Sequence, residues 1–268
     1  MTTDESFIHV NGRRLAYLDF GGEGPPLLAL HGHFSRGRIF APLARALSRR
    51  YRVIALDQRA HGRSDHGGDL RPEAYVADAA ALLRQLGLRQ AAVLGHSMGG
   101  VIAYRLAARH RDLVGALIVV DIGTVNQEPE VQPVLDVSGW PRRAASRDAL
   151  AAAIAAQGVP AWFFMDSAVE FDDGWGLLFD YQDMMASQQS LIGDHGEHWC
   201  SAAQPALLLR GGDSFMLAAD RARTMARERP DVETVVFPGC GHWLYAEEPD
   251  RFARAVGDFL DRRYAGTR

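Results

Sequence analysis

In the stretch Val93-Leu94-Gly95-His96-Ser97-Met98-Gly99-Gly100, an apolar run leads into a serine between glycines, and a helix-forming segment, Val101 to Arg109, follows. A chain that passes from strand to helix within a couple of residues forces the residue at the apex into strained backbone geometry. Glycine neighbours leave room for such a turn because they carry no Cβ. Gly95 and Gly99 flank Ser97 as G-x-S-x-G, which between a strand and a helix is typical of a nucleophilic serine.

Strands and helices alternate on both sides of this turn. The predicted strands are Ser6–Val10, Arg13–Phe20, Leu27–Leu30, Tyr51–Leu56, Gln90–Leu94, Leu113–Val120, Ala206–Leu209 and Glu233–Phe237. The predicted helices are Arg38–Arg49, Pro72–Leu86, Val101–His110, Ala218–Arg227 and Pro249–Arg263. Asn11-Gly12 favours a tight hairpin between the first two strands. The later alternation predicts an α/β fold, with a mostly parallel central sheet and helices on both faces.

Between Ile122 and about Gln204 the alternation stops. Four of the five tryptophans lie in this segment, and its alanine-rich part, Ala144 to Ala156, favours a helix. We therefore predict a core made of residues 1–121 and 205–268, and a mostly helical insertion made of residues 122–204.

The composition excludes several classes of partner and cofactor. A net charge of −4 without a basic patch argues against nucleic-acid binding. The sequence contains no run of about 18 apolar residues, so it does not predict a membrane-spanning helix. The glycines around Ser97 do not have the G-x-G-x-x-G spacing of a dinucleotide site. We expect no cofactor, and a single core is sufficient for a chain of 268 residues.

The beginning of the chain and the cysteines favour a cytoplasmic protein. Met1 to Ser6 is polar and acidic, without the basic and apolar regions of a secretory signal. Two cysteines, Cys200 and Cys240, cannot form a disulfide framework. The sequence does not indicate an oligomeric state.

A serine hydroxyl needs a base to take its proton and a carboxylate to orient that base. Among ten histidines, His242 follows a predicted strand in Gly239-Cys240-Gly241-His242 and precedes a helix. A loop at the carboxyl end of a strand can reach the sheet edge at which Ser97 lies. His195 and His198, three residues apart, could form part of a metal site, but such a pair is more often exposed and unliganded, so we predict no metal.

The chain resembles the α/β-hydrolase superfamily over nearly its whole length and in the family's order of motifs. The motifs that carry the resemblance are His31-Gly32, the loop Asp57 to Asp65, the segment Gly95 to Gly100, and Gly241-His242 with Glu247 following. The resemblance implies an α/β-hydrolase fold, with the insertion as its cap domain. It also implies an oxyanion hole formed by the backbone amides of His33 and Met98. His33 is then expected to be a wall of the pocket.

Two aspartates compete for the triad acid. In many similar hydrolases the acid lies after the seventh core strand, at the third position after a glycine, and Ser214 occupies that position here when Gly211 is aligned, with Asp213 one residue early. In other members the acid ends the sixth strand, where this chain has Asp121. We favour Asp121 and keep Asp213 as the alternative.

The resemblance implies a serine hydrolase that cleaves a carboxylic ester or lactone. Trp243 after His242 is similar to the Gly-His-Trp of hydrolases that cleave carbon–carbon bonds in ring-fission products. His96 before the serine departs from the asparagine typical of those enzymes, so carbon–carbon cleavage remains an alternative. A non-catalytic, receptor-like member that binds a ligand is the other.

Overall fold

The computed structural model describes residues 5–229 and 231–264. Its centre is one eight-stranded sheet in the order β1-β2-β4-β3-β5-β6-β11-β12. The strands of this sheet are β1 (Glu5–Val10), β2 (Arg13–Asp19), β3 (Pro26–Leu30), β4 (Arg52–Leu56), β5 (Ala91–His96), β6 (Val114–Val120), β11 (Ala206–Gly211) and β12 (Val232–Phe237). Residues Met1 to Asp4, part of the polar start discussed above, lie outside the described residues.

Parallel pairing extends from β4 to β12, and antiparallel pairing is confined to the first edge. β1 pairs antiparallel with β2 through the turn at Asn11 and Gly12, whose φ angles are 51° and 74°. β2 pairs antiparallel with β4, and the remaining pairs are parallel. The mostly parallel sheet predicted from the sequence is therefore confirmed.

Helices cover both faces of the sheet. The helices of the core are α1 (Ala41–Leu47), α2 (Pro72–Gln85), α3 (Met98–Arg109), α8 (Ala219–Glu228), α9 (Leu244–Glu247) and α10 (Pro249–Arg263). Alternate residues of β3 enter different cores: Leu28 and Leu30 pack into the core on one face, and Leu27 and Ala29 into the core on the other. A strand buried on both faces needs an unbroken apolar sequence, which is why β3 has no polar alternation.

The segment between β6 and β11 combines short helices with short strands. Its elements are β7 (Val125–Asn126), α4 (Arg147–Ala155), α5 (Ala161–Phe164), β8 (Ala168–Phe171), β9 (Gly174–Leu177), α6 (Tyr181–Ser190), β10 (Gly193–Asp194) and α7 (Gly196–Ser201). β8 and β9 form an antiparallel hairpin that the aromatic composition does not predict. α7 packs on α3 of the core, and Trp199 in α7 is fully buried. The division of the chain into a core and an insertion that begins at residue 122 and ends at residue 204 remains a prediction.

Two predicted helices begin at different residues in the structure. The predicted helix Arg38–Arg49 is a 3₁₀ turn, Gly37–Phe40, followed by the shorter α1. α3 begins directly after Ser97 and not at Val101, so its first turn includes two glycines that disfavour helix on propensity alone. Within the described residues, each helix is too short or too polar to span a bilayer.

Candidate active site

Ser97 occupies a strained turn between β5 and α3. Its φ of 54° and ψ of −125° lie outside the regions that residues with a Cβ favour. The Ser97 amide donates to the carbonyl of Val120 at 3.0 Å, which ties the turn to the end of β6. A Cβ on Gly95 would lie 2.0 Å from the carbonyl oxygen of Gly99, and a Cβ on Gly99 would lie 2.1 Å from that of Leu30. The glycines are therefore required sterically.

We expect Gly99→Ala to lower the free energy of unfolding by about 3 kcal/mol, the upper range for a group forced into a packed interior. The added methyl would meet the backbone of Leu30, which cannot move without disturbing β3. Urea denaturation measures the change. Gly139→Ala is the matched control, because nothing lies within 4 Å of a Cβ at that position. Equal stability of the two variants would contradict the steric argument.

Asp121 follows β6 and is fully buried, and its carboxylate accepts three hydrogen bonds. Oδ1 accepts from the amide of Gly211 at 2.8 Å. Oδ2 accepts from Nδ1 of His242 at 2.8 Å and from the hydroxyl of Ser214 at 2.5 Å. The Asp121 backbone, at a φ of 54°, donates to the carbonyl of Leu209. These donors compensate the desolvation of a buried carboxylate, and they aim it at His242.

The two candidate acids have different surroundings. Asp213 is exposed, and its amide donates to the carbonyl of Cys240 at 2.9 Å. Among the described residues, its side chain makes no hydrogen bond to His242. Ser214, at the position where many similar hydrolases carry the acid, instead donates to Asp121. The structure thus brings Asp121 and His242 together and leaves Asp213 at the surface.

The backbone around His242 is held on two sides. The Gly241 amide donates to the Glu247 carboxylate at 2.8 Å. On the other side, Nε2 of His96 donates to the carbonyl of His242 at 2.9 Å. Gly211 allows the loop to approach, since a Cβ there would lie 2.0 Å from the Gly241 carbonyl oxygen. Because Nδ1 of His242 donates to a carboxylate, its Nε2 is left as the basic nitrogen.

Burial keeps the neighbouring histidines neutral. It lowers the pKa of His33, His61 and His96 well below the usual histidine range, with smaller contributions from neighbouring histidines. For His31, burial lowers the pKa to about 4. The His31 ring is fixed by Nδ1 donating to the Gly32 carbonyl and by Nε2 accepting from the Gln58 amide. These side chains therefore contribute shape without positive charge.

Acidification should remove stability through His31. The unfolded side chain takes up a proton near pH 6.5 and the folded one near pH 4, so the unfolded state binds more protons between these values. Stability therefore falls as the pH falls through this window, by about 2 kcal/mol between pH 7 and pH 5 for this group. We expect the free energy of unfolding of His31→Asn, measured by urea denaturation, to fall by that much less over the same interval. Equal losses of stability in His31→Asn and in the unmodified protein would contradict this role of His31.

The two predicted oxyanion donors lie at the same end of the sheet as Ser97. Met98 is the first residue of α3, so its amide has no acceptor within the helix and lies in the favourable field of the helix N-terminus. His33 is half-buried in the turn after β3, and its Nε2 lies 3.0 Å from the hydroxyl of Ser187 in α6. The Tyr75 hydroxyl lies 2.7 Å from the same oxygen. The His33 side chain is therefore used to connect core and insertion.

Ser97 and His242 line one cavity of about 120 Å³, together with Gly32, His33, Phe34 and Phe164. None of the described residues that line it carries an Asp, Glu, Lys or Arg side chain. The amide of Gln188, which also lines it, is occupied by hydrogen bonds with both backbone groups of Leu135. The cavity is thus largely apolar, and none of the described residues that line it places an Asp, Glu, Lys or Arg side chain beside the serine.

A larger and more open groove of about 700 Å³ lies elsewhere on the insertion, beside Arg142 and Arg143. Both arginines are paired with carboxylates, those of Asp180 and Asp173. The groove does not include Ser97 or His242, so we do not assign the chemistry to it.

Of His195 and His198, the pair considered for a metal site, His195 uses both ring nitrogens in hydrogen bonds within the protein. Nε2 of His195 donates to the Leu191 carbonyl at 2.9 Å, and Nδ1 accepts from Arg105 at 3.1 Å. In the described part of the chain, no group of three or more His, Cys, Asp or Glu residues is arranged to hold a metal ion.

Comparisons with known proteins agree on one family. Residues 27–255 match the model described as the alpha/beta hydrolase family. The 2-(acetamidomethylene)succinate hydrolase of Mesorhizobium japonicum is 30% identical over 254 residues, which cover 90% of this chain and 89% of that protein. The sn-1-specific diacylglycerol lipase ABHD11 of Mus musculus is 30% identical over 259 residues, covering 91% and 83%.

Solved structures give the same result. The crystal structure of E-2-(acetamidomethylene)succinate hydrolase has a TM-score of 0.88 at 26% identity, covering 97% of this chain and 99% of that one. A marine microorganism esterase has a TM-score of 0.80 at 25% identity, covering 92% and 99%. These proteins are all named for hydrolysis.

Proposed function

Since this chain belongs to the alpha/beta hydrolase family and is a hydrolase, we propose that it cleaves a carboxylic ester or lactone through an acyl-enzyme on Ser97. The observation that carries the proposal is the hydrogen bond of His242 to the buried carboxylate of Asp121, at the cavity that Ser97 lines. A histidine oriented in this way can accept the serine proton, which a free hydroxyl does not lose at neutral pH.

In the proposed mechanism, Nε2 of His242 takes the Ser97 proton as Oγ attacks the substrate carbonyl. The amides of Met98 and His33 donate to the oxygen that becomes negative. Asp121 stabilises the imidazolium and does not itself take up the proton. His242 then gives the proton to the leaving oxygen, and the C–O bond of the ester breaks.

Water completes the cycle. His242 removes a proton from a water molecule, which attacks the acyl carbonyl, and the proton returns to Oγ of Ser97 as the acid is released. The same side chains serve both halves of the reaction, and the substrate and one water molecule are the other reactants.

The lining of the cavity favours an uncharged acyl group. A carboxylate buried beside Ser97 would find no arginine or lysine among the described lining residues, and an unpaired buried charge is very unfavourable. The Mesorhizobium relative is named for a succinate, which carries two carboxylates. We therefore propose a neutral acyl group here, in contrast to that relative.

Pre-steady-state kinetics with p-nitrophenyl acetate test the proposal. An acyl-enzyme predicts a burst of p-nitrophenolate equal to the concentration of active sites, followed by slower turnover. A fluorophosphonate should label the protein at Ser97, as identified by peptide mass spectrometry. Absence of both the burst and the label would refute the proposed function.

The two alternatives from the sequence give different outcomes in the same experiments. Trp243 lines the cavity, which is the observation that favours carbon–carbon cleavage. That activity predicts turnover of a ring-fission dienone faster than of any simple ester. A receptor-like member predicts binding of a ligand without turnover of either class.

We also propose that the protein is cytoplasmic. Its partner is a small-molecule substrate, and it binds neither nucleic acid nor membrane. Cys200 and Cys240 are free thiols in the structure, as is common in reducing compartments. Cell fractionation followed by immunoblotting tests the location.

A further inference from the structure

Three aromatic side chains form a row from the cavity to the surface. Phe215 comes from the loop after β11, Trp243 follows His242, and Trp162 lies in α5. The ring of Trp243 lies 5.9 Å from that of Phe215 and 5.5 Å from that of Trp162, both in edge-to-face geometry. Phe215 and Trp162 are 62% and 50% exposed, although such large apolar side chains are usually buried. We call this row the aromatic shelf.

The shelf adjoins the group that must protonate the leaving alcohol. The ring of Phe215 lies 5.1 Å from that of His242, and the ring of Trp243 lies 5.7 Å from it. In ester cleavage, His242 returns the proton to the leaving oxygen, so the rest of the alcohol must lie beside His242. In this arrangement the acyl group would lie on the other side of the reacting carbonyl, toward the part of the cavity that Phe34 and Phe164 line.

The volume of the cavity separates the two parts of the substrate. At about 120 Å³ it is close to the roughly 150 Å³ of a cavity that holds one benzene molecule. It can therefore hold a short acyl group but not a bulky alcohol as well. An alcohol of any size must extend toward the surface, where Phe215 and Trp162 expose their rings.

We propose that the aromatic shelf is the leaving-group subsite, and that it takes a flat aromatic alcohol. The inference rests on the proposed function and adds the class of alcohol to it. Flat rings pack face or edge against aromatic side chains with about 0.5–1.5 kcal/mol beyond burial of their area. Three further large apolar side chains are exposed among the described residues, and none of them lines the cavity: Phe7 on β1, Ile192 after α6 and Val236 on β12.

Three esters with one acyl group test the proposal: methyl, benzyl and cyclohexylmethyl butyrate. These alcohols avoid the strong activation that p-nitrophenol gives. We expect kcat/KM for benzyl butyrate to exceed that for both other esters. In Phe215→Ala and Trp162→Ala, the benzyl-to-methyl ratio should fall by about 10-fold each, chiefly through KM. Phe215→Tyr keeps a ring and should restore the ratio.

Phe7→Ala is the matched control, since it removes an exposed phenylalanine, 44% exposed, from the far edge of the sheet. Its benzyl-to-methyl ratio should equal that of the unmodified protein. A ratio that is unchanged in both shelf variants would overturn the proposal. So would equal preference for benzyl and cyclohexylmethyl esters, because the shelf would then select apolar bulk and not a flat ring.

Two further measurements separate the other outcomes. If the shelf variants instead lose co-sedimentation with phosphatidylcholine vesicles while the ratio is unchanged, the rings contact lipid and the proposal is wrong. If no ester is cleaved and Ser97 is not labelled, the proposed function fails. Saturation-transfer NMR of benzyl alcohol with Ser97→Ala, with and without Phe215→Ala, then decides whether the subsite exists.

Discussion

Ser97→Ala is expected to lower kcat for a short-chain ester by about 10⁶-fold and to abolish fluorophosphonate labelling. The hydroxyl is the atom that forms the covalent bond, and in the proposed mechanism no neighbouring side chain replaces it. Thermal denaturation should show little change, because alanine keeps the Cβ and the same backbone geometry. Residual activity within 10-fold of the unmodified protein, a rough limit for a nucleophile, would exclude Ser97 from this role.

Ser97→Gly separates catalysis from backbone strain. At a φ of 54° and a ψ of −125°, glycine is tolerated where serine is strained. We expect this inactive variant to be about 1 kcal/mol more stable than Ser97→Ala, after the greater flexibility of the unfolded chain is deducted from the strain released. A less stable glycine variant would show that the turn is not strained.

Asp121→Asn is expected to lower kcat by about 10⁴-fold with the fold intact. The amide can still accept from the Gly211 amide, whereas the Ser214 hydroxyl, whose oxygen already accepts from the amides of Met216 and Leu217, loses its acceptor. The side-chain NH₂ then faces Nδ1 of His242, which must accept, so the proton moves to Nε2. His242 in that tautomer cannot deprotonate Ser97.

Asp213→Asn is the matched control for the triad acid. Its side chain is exposed, and kcat should change by less than about 2-fold, as for surface substitutions away from a site. If Asp213→Asn is inactive and Asp121→Asn is active, the choice between the two aspartates is wrong. Both variants should be compared at equal folded fractions, measured by near-UV circular dichroism.

Sequence patterns predict the core of this fold because its signals are local. Leu27 to Leu30 is an unbroken apolar run because it is buried on both faces, and Asn11-Gly12 adopts the positive φ angles of its hairpin. The start of α3 is missed because Gly99 and Gly100 disfavour helix on propensity. Only the structure shows that Gly99 adjoins the Leu30 carbonyl and Gly100 the side chain of Ile122.

The rest of the site depends on contacts between distant segments. Ser214 and Asp121 are 93 residues apart, so no spacing rule relates the hydroxyl to the carboxylate. Ser214 occupies a position that often holds the acid in similar hydrolases. That position indicates from sequence alone that the loop carrying Ser214 approaches His242. Phe215 carries no sequence signal, and Trp162 carries only that of the aromatic-rich insertion, because the significance of both lies in their exposure beside Trp243.

The position of Asp121 at the end of β6 has a consequence for protein engineering. In a chain whose acid lies in the loop after β11, randomising that loop would put the acid at risk. Here the end of β11 supplies Asp121 with the Gly211 amide and the loop supplies only the Ser214 hydroxyl, so Phe215 and Met216 can be varied without removing a charged group. A library confined to those two codons would be a compact starting point for directed evolution of new alcohol preferences.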